Sequence, residues 1–81
     1  MSKVYLRIGS DYLEEAQLCD SIKDARAEFE AVARELDGYG QRIEASIHRY
    51  CRDLPGPVHA AEYPDYVLSL GPRGGVRMER A

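Results

Sequence analysis

The sequence predicts an α+β domain, a single amphipathic helix packed on one face of a small four- to five-stranded antiparallel sheet. Three observations carry that expectation. Residues 20–40 read as one capped helix, segments on either side of it alternate apolar and polar residues, and residues 66–80 read as two short strands around a glycine-rich turn. A lone helix has to bury its apolar stripe, and in an 81-residue chain a small sheet is the surface available to cover it. The element order is ββαβββ, or βαβββ if residues 13–19 do not form a strand.

Each element has its own chemistry. In K-V-Y-L-R-I (3–8), Val4, Leu6 and Ile8 fall on one face and Lys3, Tyr5 and Arg7 on the other, the pattern of a half-buried strand. Gly9, Ser10 and Asp11 form a turn cluster. Residues 12–19 admit two readings: Asp11 with Glu14 caps a short helix, or Ala16 and Leu18 alternate with Gln17 and Cys19 in a return strand. The strand is favoured, because Asp20 and Ser21 start the main helix directly after it. Ser21 is a good N-cap, and Asp24 three residues on suits both a capping box and the positive end of the helix dipole. Ile22, Ala25, Phe29, Val32, Ala33 and Leu36 share one stripe, Glu30 and Arg34 stand four apart, and Gly38 sits where a left-handed C-cap is wanted, followed by Gly40. Next, Ile43, Ala45 and Ile47 alternate against Glu44, Ser46, His48 and Tyr50, the clearest strand of the chain. Residues 51–64, with Pro55, Pro57 and Pro64, form a loop that Pro55-Gly56-Pro57 keeps irregular. Finally, Y-V-L-S-L (66–70) and V-R-M-E-R (76–80) bracket G-P-R-G-G (71–75) as a hairpin.

Size and charge bound the function. A single domain, 1–81, of this length has a marginal core, for which dimerisation, metal or disulfides often compensate. No stretch approaches the ~20 apolar residues of a membrane span. No secretory leader opens the sequence, so the expected location is the cytoplasm, with Cys19 and Cys51 reduced. The net charge is −3, which argues against non-specific nucleic-acid binding. Residues 1–40 carry 9 acids and 5 bases, whereas residues 41–81 carry 5 acids and 6 bases. That asymmetry suggests charge-steered recognition.

No spacing marks a catalytic or cofactor site. G-P-R-G-G lacks the following helix that a phosphate loop requires. His48, Cys51 and His59, with Cys19 as a fourth ligand, contain no C-x2-C pair, so no metal is expected and His48 is expected to face solvent. Ser, His and carboxylates occur without an arrangement that supplies nucleophile, base and oxyanion site together, so the chain reads as a non-enzyme. Two surfaces remain. A sheet covered by one helix leaves its second face open, carrying Tyr5, Arg7, Glu44, Ser46, His48, Tyr50, Val67, Ser69, Arg77 and Glu79. Tyr and Arg are enriched at interface hot spots. The other surface is acidic: Asp24, Glu28, Glu30, Glu35 and Asp37 on the helix, with Asp11, Glu14, Glu15 and Asp20 nearby. Such a surface can dock into a basic groove otherwise used by nucleic acid.

With its Ser-capped helix (S-I-K-D-A-R) and terminal hairpin (D-Y-V-L-S-L-G-P-R-G-G-V-R-M-E-R), the chain resembles small phage and mobile-element proteins of the anti-CRISPR kind, across its whole length and at the level of layout. That resemblance implies a non-enzymatic, phage-encoded inhibitor acting in the bacterial cytoplasm, which blocks a host protein complex such as a CRISPR–Cas effector by occupying its surface. It needs no cofactor. The expected contact residues are Asp11, Glu14, Glu15, Asp24, Glu28 and Glu30, then Tyr5, Tyr50 and Arg77. Either surface could instead serve a homodimer. The alternative function is a small nucleic-acid-associated regulator that uses the Tyr/Arg face.

Overall fold

The computed structural model describes residues 3–55 and 58–81. Its elements are β1 (Val4–Ile8), a 3-10 turn (Leu13–Glu15), β2 (Gln17–Cys19), α1 (Ile22–Asp37), β3 (Glu44–Arg49), β4 (Tyr66–Leu70) and β5 (Val76–Arg80). The strands form one antiparallel sheet in the order β2-β1-β3-β4-β5, with α1 against one face. This is the α+β architecture expected, one helix on five strands. Among the described residues, no helix is long and apolar enough to cross a membrane.

The helix face is the apolar core. Ala25, Phe29 and Ala33 of α1 are fully buried against Val4, Leu6, Ala45, Ile47, Leu68 and Leu70. Cross-strand register explains the match: Leu6 pairs with Ile47, and Ala45 with Leu68, so the helix-facing side of three strands is apolar up to Arg49, which stands opposite Val4 at its end. Ser21 caps α1 as expected, accepting the Asp24 N–H at 3.1 Å. Glu30 and Arg34 pair at 3.7 Å.

The helix exit differs from expectation. Gly38 is still right-handed at φ −61, and the left-handed residue is Gly40 at φ 78. The N–H of Gly40 reaches the Asp37 carbonyl and the N–H of Gln41 the Leu36 carbonyl, the paired bonds of a Schellman ending. That motif needs its glycine after the last bonded turn, which here extends through Tyr39.

Residues 12–19 combine both readings. The segment opens with a helical turn whose N-cap is Tyr12, with no side-chain cap bond, so the helical alternative forms without Asp11 as its cap. It ends in a strand of only three residues, paired Val4 to Cys19. That register turns Cys19 into the core and leaves Leu18 44% exposed.

The terminal hairpin has the expected boundaries, 66–70 and 76–80. Between β3 and β4 the loop is not idle. Tyr50 bridges Ala60, the Cys51 N–H bonds the His59 carbonyl at 2.6 Å, and the Ala61 N–H bonds the Arg49 carbonyl at 2.9 Å. Pairing resumes at Ile47 with Tyr66, so Glu62, Tyr63 and Pro64 are looped out as a three-residue bulge. Of the Pro55-Gly56-Pro57 break, Gly56 and Pro57 lie outside the described residues.

Candidate functional site

The second face of the sheet, expected to be open, is partly covered by this loop. Tyr5 is only 7% exposed and His48 is 0% exposed. His48 therefore does not face solvent as its place in the alternation suggested. Its Nδ1–H donates to the Ala61 carbonyl at 2.8 Å, and a carbonyl can only accept, which fixes the tautomer. Nε2 is then the acceptor for the Ser46 hydroxyl at 2.7 Å. The bulge at 62–64 leaves the Ala61 carbonyl outside the β-ladder, and the imidazole satisfies it. Burial lowers the His48 pKa, with a smaller push from the Arg7 guanidinium. The Ala61 bond and Asp65 act in the opposite sense.

Aromatic contacts complete the cover. Tyr5 and Tyr50 stack with ring centroids 6.2 Å apart and planes 14° apart, and His59 meets Tyr50 edge-on at 5.7 Å. The His59 N–H reaches the Tyr5 hydroxyl at 3.5 Å. His59 Nδ1 is also 3.0 Å from the Leu54 carbonyl. Both histidines thus tie the loop to itself or to the sheet. Ser46 with His48 has the hydrogen bond of a nucleophile and its base, and the Ala61 carbonyl orients the ring. Both side chains are buried, however, Ser46 at 6% exposure and His48 at 0%. Arg7 Nε is buried with no hydrogen-bond partner among the described residues. What the arrangement does chemically is hold Tyr50, His59 and Ala61 against the sheet.

The expected acidic surface divides in two. Around α1, at about 100° per residue, Asp24 and Glu28 share a flank, and Glu30 lies about 200° beyond Glu28. Glu30 belongs with Arg34 on the far side of the helix. Asp24 and Glu28 instead lie on the flank from which, with Asp20, they act on the Cys19 thiol of β2. All three carboxylates raise the Cys19 pKa, with burial the larger cause. Asp20 was not among the expected contact residues, and its adjacency to Cys19 in sequence is the signal that points to it. Glu35, seven residues beyond Glu28, continues this flank by helical spacing. Asp11, Glu14 and Glu15 are exposed on the β1–β2 connection. Glu14 and Glu62 rim a shallow apolar groove formed by Leu13, Leu54, Pro55, Val58 and Ala60. Among the described residues, none of Asp11, Glu14, Glu15, Asp20, Asp24 and Glu28 has a basic partner within 4.0 Å.

The remaining expected contacts separate similarly. Tyr50 is half-buried in the aromatic stack. Arg77 is exposed on β5, at the opposite edge of the sheet, and pairs with Glu79 at 3.3 Å. The molecule therefore presents an acidic edge at β2 and an arginine-bearing edge at β5, with Arg73, Arg77 and Arg80 on the terminal hairpin. Among the described residues, no group of three or more His, Cys, Asp or Glu is arranged to hold a metal ion. No protein-family model, curated protein or solved structure matches this chain.

Proposed function

We propose that the chain is a non-enzymatic protein-binding inhibitor, phage-encoded, that blocks a host defence complex of the CRISPR–Cas kind by occupying one of its basic surfaces. The recognising side is the acidic β2 edge: Glu14 and Glu15 on the turn, Asp20 ahead of the helix, and Asp24 and Glu28 on its flank. The observation that carries this reading is that Glu14, Glu15, Asp20 and Asp24 are exposed, Glu28 is half-buried and, among the described residues, none of the five has a basic partner within 4.0 Å. Like charges held together cost stability in the free protein, and a cationic partner relieves that cost. The groove beneath Glu14 and Glu62 adds an apolar contact beside the charges. A nucleic-acid regulator reading through the sheet face is less well supported. Its stacking platform needs exposed aromatics, whereas Tyr5 is buried and Tyr50 is stacked upon it.

The test is phage plating on bacteria whose CRISPR–Cas systems, one type per strain, target the phage. Expression of the wild-type chain restores plaques in at least one strain. The triple variant Glu14→Lys, Glu15→Lys, Glu28→Lys loses that rescue, and Arg73→Glu, in the exposed hairpin turn, keeps it. Absence of rescue in every strain, or rescue undiminished by the triple reversal, contradicts the proposal. Recovery of the tagged chain on nucleic acid, lost after nuclease treatment, would move the function to the sheet face.

A further inference from the structure

We infer that the β5 edge pairs with the β5 edge of a second copy of this chain, joining two sheets into one across a two-fold axis. The ladder between β4 and β5 fixes which backbone groups are free. Asp65 accepts from the Ala81 N–H and Gly71 donates to the Gly75 carbonyl. The hydrogen-bonded positions of β5 are therefore the odd-numbered ones, and Val76, Met78 and Arg80 direct their N–H and C=O groups away from β4. At β2 the same parity, set by the Gly9 N–H bonded to the Glu44 carbonyl, leaves only Leu18 facing outward. The two edges are thus unequal templates, and β5 is the longer one.

Charges on an edge strand ordinarily discourage pairing. On β5 they are self-complementary. Antiparallel pairing centred on Met78 sets Met78 opposite the partner's Met78 and Val76 opposite the partner's Arg80. Arg77 then stands opposite the partner's Glu79, in a non-hydrogen-bonded pair where side chains approach most closely. Registers centred on Arg77 or Glu79 satisfy the same hydrogen-bond parity but set like charges against each other. The Met78-centred register alone uses the whole strand and sets Arg77 against Glu79 at both ends of the seam, with no like charges directly opposed. Met78, 38% exposed, and the half-buried Val76 gain apolar contacts at the seam. Pairing β5 with its own copy closes after two chains, whereas β5 on β2 would propagate without end. The inference is independent of the acidic-edge reading, which concerns the opposite side of the sheet.

Sedimentation equilibrium tests it, with circular dichroism to verify folding. The wild-type chain forms a concentration-dependent dimer that weakens as salt rises. Arg77→Glu turns two attractive pairs into repulsive ones and weakens the dimer by about tenfold or more. The double variant Arg77→Glu, Glu79→Arg restores opposite charges across the seam and recovers it. Met78→Cys crosslinks to its own copy on mild oxidation, because directly opposed residues of this type lie about 5.5 Å apart, within disulfide reach. A wild-type chain that stays monomeric at every concentration overturns the inference. So does a dimer indifferent to Arg77→Glu, or a double variant no better than the single.

Discussion

The two faces of the sheet are covered by different materials, and they hold by different forces. On one, α1 lays Ala25, Phe29 and Ala33 on Leu6, Ile47 and Leu68, all at or near zero exposure. Apolar burial and dispersion do the work there, and any side chain of similar volume serves nearly as well. On the other, an irregular loop is held by single polar contacts: Ser46 to His48, His48 to Ala61, and the backbone of His59 to Tyr5. A buried polar pair is exacting because losing one partner strands the other. The first face supplies most of the fold's stability, while the second makes stability depend on pH and on one side chain.

The largest effect expected is on the helix face. Phe29→Ala removes the central apolar side chain of a small core and costs about 3–5 kcal/mol, comparable with the whole stability of a domain this size. Urea denaturation at neutral pH should find this variant largely unfolded without denaturant. On the loop face, His48→Ala leaves the Ser46 hydroxyl and the Ala61 carbonyl without their partner and costs about 2–3 kcal/mol. The same denaturation series measures it, and faster hydrogen exchange across 50–65 should accompany the loss.

The faces should also separate by pH. Burial holds the folded-state pKa of His48 below its unfolded value of about 6.5. The unfolded chain therefore binds the proton first as pH falls. Stability from this group is complete above about pH 6.5 and declines below it, until the folded-state pKa is passed. Thermal melting followed from pH 7.5 to 5 should show that decline in the wild type and much less of it in His48→Gln. Phe29→Leu, a change confined to the helix face, should lower the whole curve without altering its slope.

Smaller effects sharpen the helix side alone. Gly40→Ala places a side chain at φ 78 and costs about 1–2 kcal/mol, whereas Gly38→Ala, at φ −61, costs less. The Cβ added at Gly38 meets the Glu35 carbonyl at 3.2 Å and the Arg34 carbonyl at 3.8 Å. Ser21→Ala removes the N-cap bond and costs about 1 kcal/mol. Melting temperatures of the three variants should rank in that sense, with Gly38→Ala nearest the wild type.

The same division governs what the sequence reveals. The helix stripe, the alternation of 43–47 and the hairpin boundaries are legible because periodic burial writes a periodic pattern. The loop's cover has no period, so the alternation placed Tyr5 and His48 on the second face without indicating what lay above it. The signals were local: Ser46 and His48 two apart on one face, and a loop carrying Val58, Ala60 and Ala61 among its prolines. The cap at Gly40 was misplaced for a similar reason. Two glycines stood within reach, and the choice depends on which one follows the last bonded turn. The acidic surface was legible in composition but not in shape, since Glu30 shares its helix with Glu28 yet faces the other way.

The most direct test of the loop cover over the second face is the imidazole of His48, observed by nitrogen-15 NMR through a pH titration. A loop seated over His48 requires the tautomer protonated at Nδ1, bonded to Ala61, with a midpoint below about 6.5. A ring protonated at Nε2, titrating at or above that value, would show the face open and return Tyr5 and His48 to the molecular surface.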